Sequence, residues 1–211
     1  MSQIFDGYDA WVAGVRDWLD VDEFTDEKIQ LFLSLANIRL NRDMMSYRME
    51  KVAQLMVVGN GLPVNLDVSL PDFNKVRNVG WPGVGSLEVL ALNEWYNKQQ
   101  EAPDKATPAF YCIDAGKLLF HPMPASSVVI HFAYYQMVPP IGPTRDTNIF
   151  TEYHSDALLY GACLEAASYM VEDERIPVWE SKYVAAVKGN NIDPSNVKKG
   201  STPLVRRVKI G

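Results

Sequence analysis

The side chains best suited to chemistry are the imidazoles of His121, His131 and His154, the carboxylates of Glu172, Asp173 and Glu174, and the thiols of Cys112 and Cys163. A histidine with a second ligand at i+3 or i+4 would suit a divalent cation, and none of the three has one. His154 stands beside Glu152 and Asp156, the usual composition of a polar helix N-terminus. The three consecutive acids point in different directions on a helix and close it just ahead of Pro177. They read as a solvated helix end, not as a general acid with its base. The cysteines form neither CxxC nor CxxH, and two buried thiols are the preferred reading over a disulfide. No GxSxG, HExxH or Walker pattern occurs. Gly80-Trp81-Pro82-Gly83-Val84-Gly85 carries a proline and leads into no strong helix, so it reads as a surface loop and not a phosphate cradle. Tyr134 and Tyr135 fall on opposite faces of an expected strand, which places one in the core and the other at a surface or interface. The expectation is a chain with no catalytic residues, no cofactor-binding residues, no metal ligands and no cofactor.

The elements that would carry these groups come in three zones. Phe5, Tyr8, Trp11, Val12, Val15 and Leu19 recur at helical spacing. Thr25 suits an N-cap, with Asp26 and Glu27 at the positive end of the helix dipole. Behind it run Ile29, Phe32, Leu33, Ala36 and Leu40, with Phe24 placed to staple onto Ile29. The expected fold class is α+β and mainly helical: a helical bundle of N- and C-terminal segments with an inserted antiparallel β meander. Residues 1–49 form the first helices, 50–145 the β-rich insertion, 146–189 the closing helices and 190–211 a basic extended arm or a disordered tail. In the insertion, Val52 and Gln54–Val58 form a strand before Gly59-Asn60-Gly61, Val64–Leu70 is its partner, and residues 74–85 are loop. Leu87–Gln99 is a short strand and helix. Ala109–Phe120 is a hairpin about Asp114-Ala115-Gly116, with Val128–Gln136 as the third strand of the meander. Thr151 caps the longest helix, Glu152–Glu174. Its packing face, Ala157, Tyr160, Gly161, Leu164 and Ala167, is small enough to admit another helix closely. Pro177 opens the last helix, with Trp179, Tyr183, Val184 and Val187 on its apolar side, and Gly189-Asn190-Asn191 ends it.

Charge narrows the function classes. The net charge is −6, yet residues 182–211 carry seven basic side chains against one acid, leaving −12 on the rest. Such a body repels polyanions, which disfavours general nucleic-acid binding. A basic arm on an acidic body instead suits an acidic protein surface, including that of a neighbouring copy. No apolar run approaches a membrane span. Met1-Ser2-Gln3-Ile4-Phe5-Asp6 lacks the basic start of a secretory signal, so a protein that is intracellular when made, or part of a particle assembled inside a cell, is expected.

The order of several motifs carries more than any one of them. Arg39-Leu40-Asn41-Arg42-Asp43 follows an early helix, then come Leu70-Pro71-Asp72-Phe73 with Val76-Arg77, and the hairpin Tyr111–Phe120 with its Pro122-Met123-Pro124 exit. Tyr134-Tyr135-Gln136-Met137-Val138-Pro139-Pro140, Asn148, the helix Ala157–Ala167 and Trp179-Glu180-Ser181-Lys182-Tyr183 complete the series. Across roughly residues 30–188 the chain resembles the head-to-tail adaptor (connector) proteins of short-tailed bacteriophages. The resemblance implies a structural virion protein of the neck and no enzyme. It implies a homo-oligomeric ring of twelve copies, binding the portal protein on one face and the tail nozzle or tail tube on the other. DNA would pass transiently through the lumen, and no membrane is involved. The arm residues Lys198, Lys199, Leu204, Val205, Arg206, Arg207, Val208, Lys209 and Ile210 would contact the portal. The competing readings are a tail-completion or minor tail protein away from the portal, and a small particle-associated hydrolase.

Overall fold

The computed structural model describes residues 4–21, 23–59, 62–100, 107–170 and 174–191. In chain order the helices are α1 (Tyr8–Leu19), α2 (Asp26–Asp43), α3 (Leu66–Ser69), α4 (Leu92–Gln99), α5 (Ile149–Tyr153), α6 (Ser155–Ala166) and α7 (Ile176–Asn190). The strands are β1 (Glu50–Val57), β2 (Val64–Asn65), β3 (Phe73–Trp81), β4 (Gly85–Ser86), β5 (Glu88–Val89), β6 (Phe110–Asp114), β7 (Lys117–His121) and β8 (Val128–Gln136). The protein is therefore α+β. It divides into two units, one of Met1–Tyr47 with Pro140–Gly211 and one of Arg48–Pro139.

In the helical unit α6 lies between α2 and α7 and also touches α1. Gly161 explains the close approach: a Cβ there would stand 3.2 Å from the Ala36 Cβ and 3.4 Å from the Tyr183 ring. α1 begins at Gly7, whose φ of 82° is in the region that favours glycine. Its Trp11, Val15 and Leu19 are fully buried, each worth about 1.5–3 kcal/mol relative to exposure. Thr25 caps α2 by accepting from the Lys28 amide at 3.4 Å. The Phe24 ring packs edge-on to Phe32 at 5.3 Å. Arg175 donates to the Leu19 carbonyl at 2.8 Å and so ties the start of α7 to the end of α1.

The long helix expected over Glu152–Glu174 is instead interrupted. Asn148, not Thr151, is the N-cap: its side-chain oxygen accepts from the Phe150 and Thr151 amides at 2.9 and 3.0 Å. Thr151 serves from inside the helix, its hydroxyl accepting from the Asn148 amide at 2.9 Å. At His154 the backbone leaves helical geometry (φ −137°, ψ 38°). His154 stands at the N-terminus of α6 as expected, but its imidazole is buried, with Nε2 3.0 Å from Ser46 Oγ. α6 then runs only to Ala166, and Ala167–Tyr169 tightens into a 3₁₀ turn. α7 reaches Asn190, capped by Asn191, whose side chain accepts from the Met45 amide at 2.7 Å and donates to the Asp43 carbonyl at 3.0 Å. Val184, expected on its apolar side, is exposed.

The β unit holds two sheets, with strand orders β1-β8-β3-β4 and β2-β7-β6-β5. The β6–β7 hairpin forms as expected, with Ala115 (φ 46°) and Gly116 (φ 73°) both in the left-handed region that a tight turn of this kind requires. The meander does not extend from it. Pro122 and Pro124 supply no ladder N–H, and β8 becomes the central strand of the other sheet, antiparallel to β1 and β3. Val64–Leu70 is not the partner of β1: only Val64 and Asn65 are extended, they pair with β7, and Asn65 then caps α3. Residues 73–81, expected largely as loop, form the nine-residue β3, and the turn is confined to Pro82–Val84. Leu55, Val57, Val79, Ile130, Phe132, Leu118 and Phe120 from the two sheets share one buried cluster. Tyr134 joins it, while Tyr135, on the opposite face and expected at a surface or interface, is also buried within the chain.

Candidate interaction surfaces

In each unit a few buried or half-buried polar side chains hold segments together. In the helical unit, Arg39 Nε donates to Glu165 at 2.6 Å, and its guanidinium lies 5.7 Å from the Tyr183 ring centre. Tyr183 donates to Asp43 at 3.0 Å. In the β unit, Tyr134 and Lys51 donate to the two oxygens of Asp72 at 2.8 and 2.5 Å. Arg77 Nε lies 2.8 Å from Glu50 beside Tyr135, a distance that makes an ion pair without an aligned hydrogen bond. Burial pushes the Asp72 carboxyl up, but the hydrogen bonds from Lys51 and Tyr134 outweigh it and leave it below its ordinary value. His121 packs edge-on to Trp95 at 5.9 Å, His131 is exposed on β8, and His154 is buried in the helical unit. Among the described residues no three His, Cys, Asp or Glu side chains are grouped to hold a metal ion. None of their helices is long and apolar enough to cross a membrane.

Several protons are held by the fold. Burial pushes the Cys163 thiol up to about 12. Burial, then the hydrogen bond to Asp72, pushes Tyr134 up to about 12. Burial, then Asp43, raises Tyr183 as well. Groups whose folded pKa lies above the unfolded value of 9.0 or 10.0 stabilise the fold fully below those values, and that contribution is lost as pH rises towards 12. The denaturant midpoint should therefore fall steadily from pH 9 upwards, and native Cys163 should resist alkylation at pH 8. A flat midpoint to pH 11 would contradict this.

The surface carries what the interior does not use. On α2, Leu31, Leu35 and Ile38 are 45%, 37% and 62% exposed, and their i, i+4, i+7 spacing lines them up opposite the buried Ile29, Leu33, Ala36 and Leu40. The β unit exposes Val58, Leu62 and Met123 at a cavity of about 150 Å³ that is also lined by Val57, Trp95, Leu118 and Phe120, and exposes Met56 and Val129 elsewhere. Among the described residues from Asp6 to Glu27 the helical unit shows seven exposed carboxylates. Ala157 and Gly161 of the expected packing face are buried, whereas Tyr160, Leu164 and Ala167 are half-buried. The arm residues Lys198, Lys199, Leu204, Val205, Arg206, Arg207, Val208, Lys209 and Ile210 lie outside the described residues.

These geometries draw together Arg39 with Glu165 and Tyr183, Asp72 with Tyr134, and Asn148 with Asn37, residues widely spaced in the chain. The family model of the SU10 adaptor protein matches residues 8–207. The chain belongs to the SU10 adaptor protein family. It is a phage structural adaptor, as the motif order implied. No curated protein matches the chain. In this adaptor Arg39, Asp43, Asp72, Tyr134, Asn148, Glu165 and Tyr183 of the motifs thus join segments within their units, and the outward apolar residues are the candidates for assembly. The α2 stripe escaped the reading of the sequence, although its second leucine–isoleucine period was there to be seen once the inward face had been subtracted.

Proposed function

We propose that this adaptor forms a ring beneath the portal and links it to the tail nozzle, with DNA passing through its lumen. The observation that carries the reading is α2, a helix apolar on two sides in a chain of an adaptor family. A helix with a buried core face has no use for a second exposed row of leucine and isoleucine unless another surface covers it. Head-to-tail repetition of one such contact closes a ring, taken here as twelve copies. The surplus of acids on the body leaves a lumen wall past which a polyanion slides without adhering. The basic arm, through Lys198, Lys199, Arg206, Arg207 and Lys209 with Leu204, Val205, Val208 and Ile210 between them, docks on the portal.

The native mass of the purified chain, alone and with portal, tests the ring. A closed multimer is expected, and a chain that remains monomeric even on the portal would exclude it. Electron microscopy of virions with the subunit labelled should place the label at the neck. Label along the tail would favour a tail-completion protein. Removing residues 192–211 keeps Asn191 and its bonds to Met45 and Asp43. That truncation should leave the number of copies in the ring unchanged and abolish co-assembly with portal; undiminished co-assembly would remove the arm from the interface.

A further inference from the structure

Within the helical unit the exposed stripe of α2 has a counterpart. α7 turns Trp179, Tyr183, Ala186 and Val187 inward and leaves Val178, Ser181 and Ala185 exposed on its far side. These lie at i, i+3 and i+7, a shallow face of small side chains suited to receive large ones. α6 packs against both α2 and α7, and Gly161 contacts Ala36 and Tyr183 of these two helices. Because Ala36 and Tyr183 point inward, the stripe on α2 and the face on α7 look away from α6 on separate helices. One copy therefore cannot cover its own stripe with its own α7 face.

Charge sets the direction in which the two would meet. The α2 stripe is bounded by Glu27 at its start and by Arg42 at its end, both exposed, Arg42 also pairing with Asp43 at 3.0 Å in its own chain. The α7 face is bounded by Glu174, in the turn leading into the helix, and by Lys188 near its end, again both exposed. Each pair spans on the order of 20 Å at helical rise. Parallel packing would set Glu27 by Glu174 and Arg42 by Lys188, like against like. Antiparallel packing sets Glu27 by Lys188 and Arg42 by Glu174.

We propose that Leu31, Leu35 and Ile38 of α2 pack antiparallel on Val178, Ser181 and Ala185 of α7 in the next copy of this chain. The proposal rests on the ring reading and gives it a lateral contact. The contact is heterologous: every copy offers a large stripe on one helix and a small face on another, so the repeat runs head to tail.

Cysteine pairs test it in the full chain, where Cys112 and Cys163 are buried. The double variant Leu35→Cys with Ser181→Cys, which antiparallel packing sets opposite each other, should give a ladder of dimers, trimers and higher species on a denaturing gel when treated with a short bis-maleimide. Either single variant should stay monomeric, and a mixture of the two singles should stop at dimers. Dimers from Leu35→Cys alone would show an isologous contact and overturn the proposal. Absence of a ladder while the native mass of the same variant is that of a closed multimer would overturn the assigned contact and leave the ring standing. Absence of both, with and without portal, would overturn both. Glu27→Lys should reduce assembly at least tenfold, and adding Lys188→Glu should restore most of it. No restoration would refute the antiparallel sense.

Discussion

Replacing Phe132 with alanine is expected to cost about 3–5 kcal/mol of stability, the usual range for truncating a fully buried phenylalanine. Phe132 lies midway along β8, the strand to which both β1 and β3 are paired, opposite Ala53 on one side and Val79 on the other. Its ring is fully buried, 5.8 Å from that of Phe73 and 6.0 Å from that of Tyr134. The loss therefore combines transfer, a cavity and two ring contacts. Denaturant unfolding followed by circular dichroism should show it, and amide exchange should accelerate first along β8. Val52→Ala, on the exposed side of β1, should change stability by no more than about 0.5 kcal/mol. A loss below about 1 kcal/mol for Phe132→Ala would mean that β8 is not the centre of its sheet.

The centrality of β8 was not legible in the sequence, and the reason is physical. Strand propensity marked Val128–Gln136 as extended, but partner choice depends on long-range pairing that no local pattern encodes. The preceding hairpin invited the simplest continuation, a meander, and two prolines prevented it. β3 was hidden by the opposite error. Gly80 and Pro82 are loop signals, yet Gly80 sits in a regular ladder opposite His131 and only Pro82 lies in the turn. Features set by neighbours in sequence were legible: the Thr25 cap, the Ala115-Gly116 turn and Pro177 at the start of α7. The motif order indicated the family, but not that Arg39 reaches Glu165 or that Asp72 receives Tyr134. The outward row on α2 was overlooked because a single apolar face already accounted for a buried helix.

Asn148→Ala should cost about 2–4 kcal/mol, more than its single side chain suggests. About 1 kcal/mol follows from losing the cap of α5. The rest comes from a buried polar contact, since Asn148 Nδ2 donates to Asn37 Oδ1 at 3.0 Å and so joins α5 to the middle of α2. Two variants separate these contributions. Asn148→Ser retains a capping oxygen and gives up the reach to Asn37, so it should recover about 1 kcal/mol of the loss. Asn37→Ala retains the cap and removes the contact, and should cost about 1–3 kcal/mol. Equal stability of the alanine and serine variants would show that the cap contributes nothing. The same comparison separates folding from assembly: Asn37 is buried on α2 next to the exposed Ile38. Losing the inward amide should lower the melting temperature while the folded fraction keeps its native mass. Losing the outward isoleucine, as in Ile38→Asp, should leave the melting temperature of the dissociated chain nearly unchanged and lower the native mass. If both variants moved both quantities together, the two sides of α2 would not be the independent surfaces that their opposite burial implies.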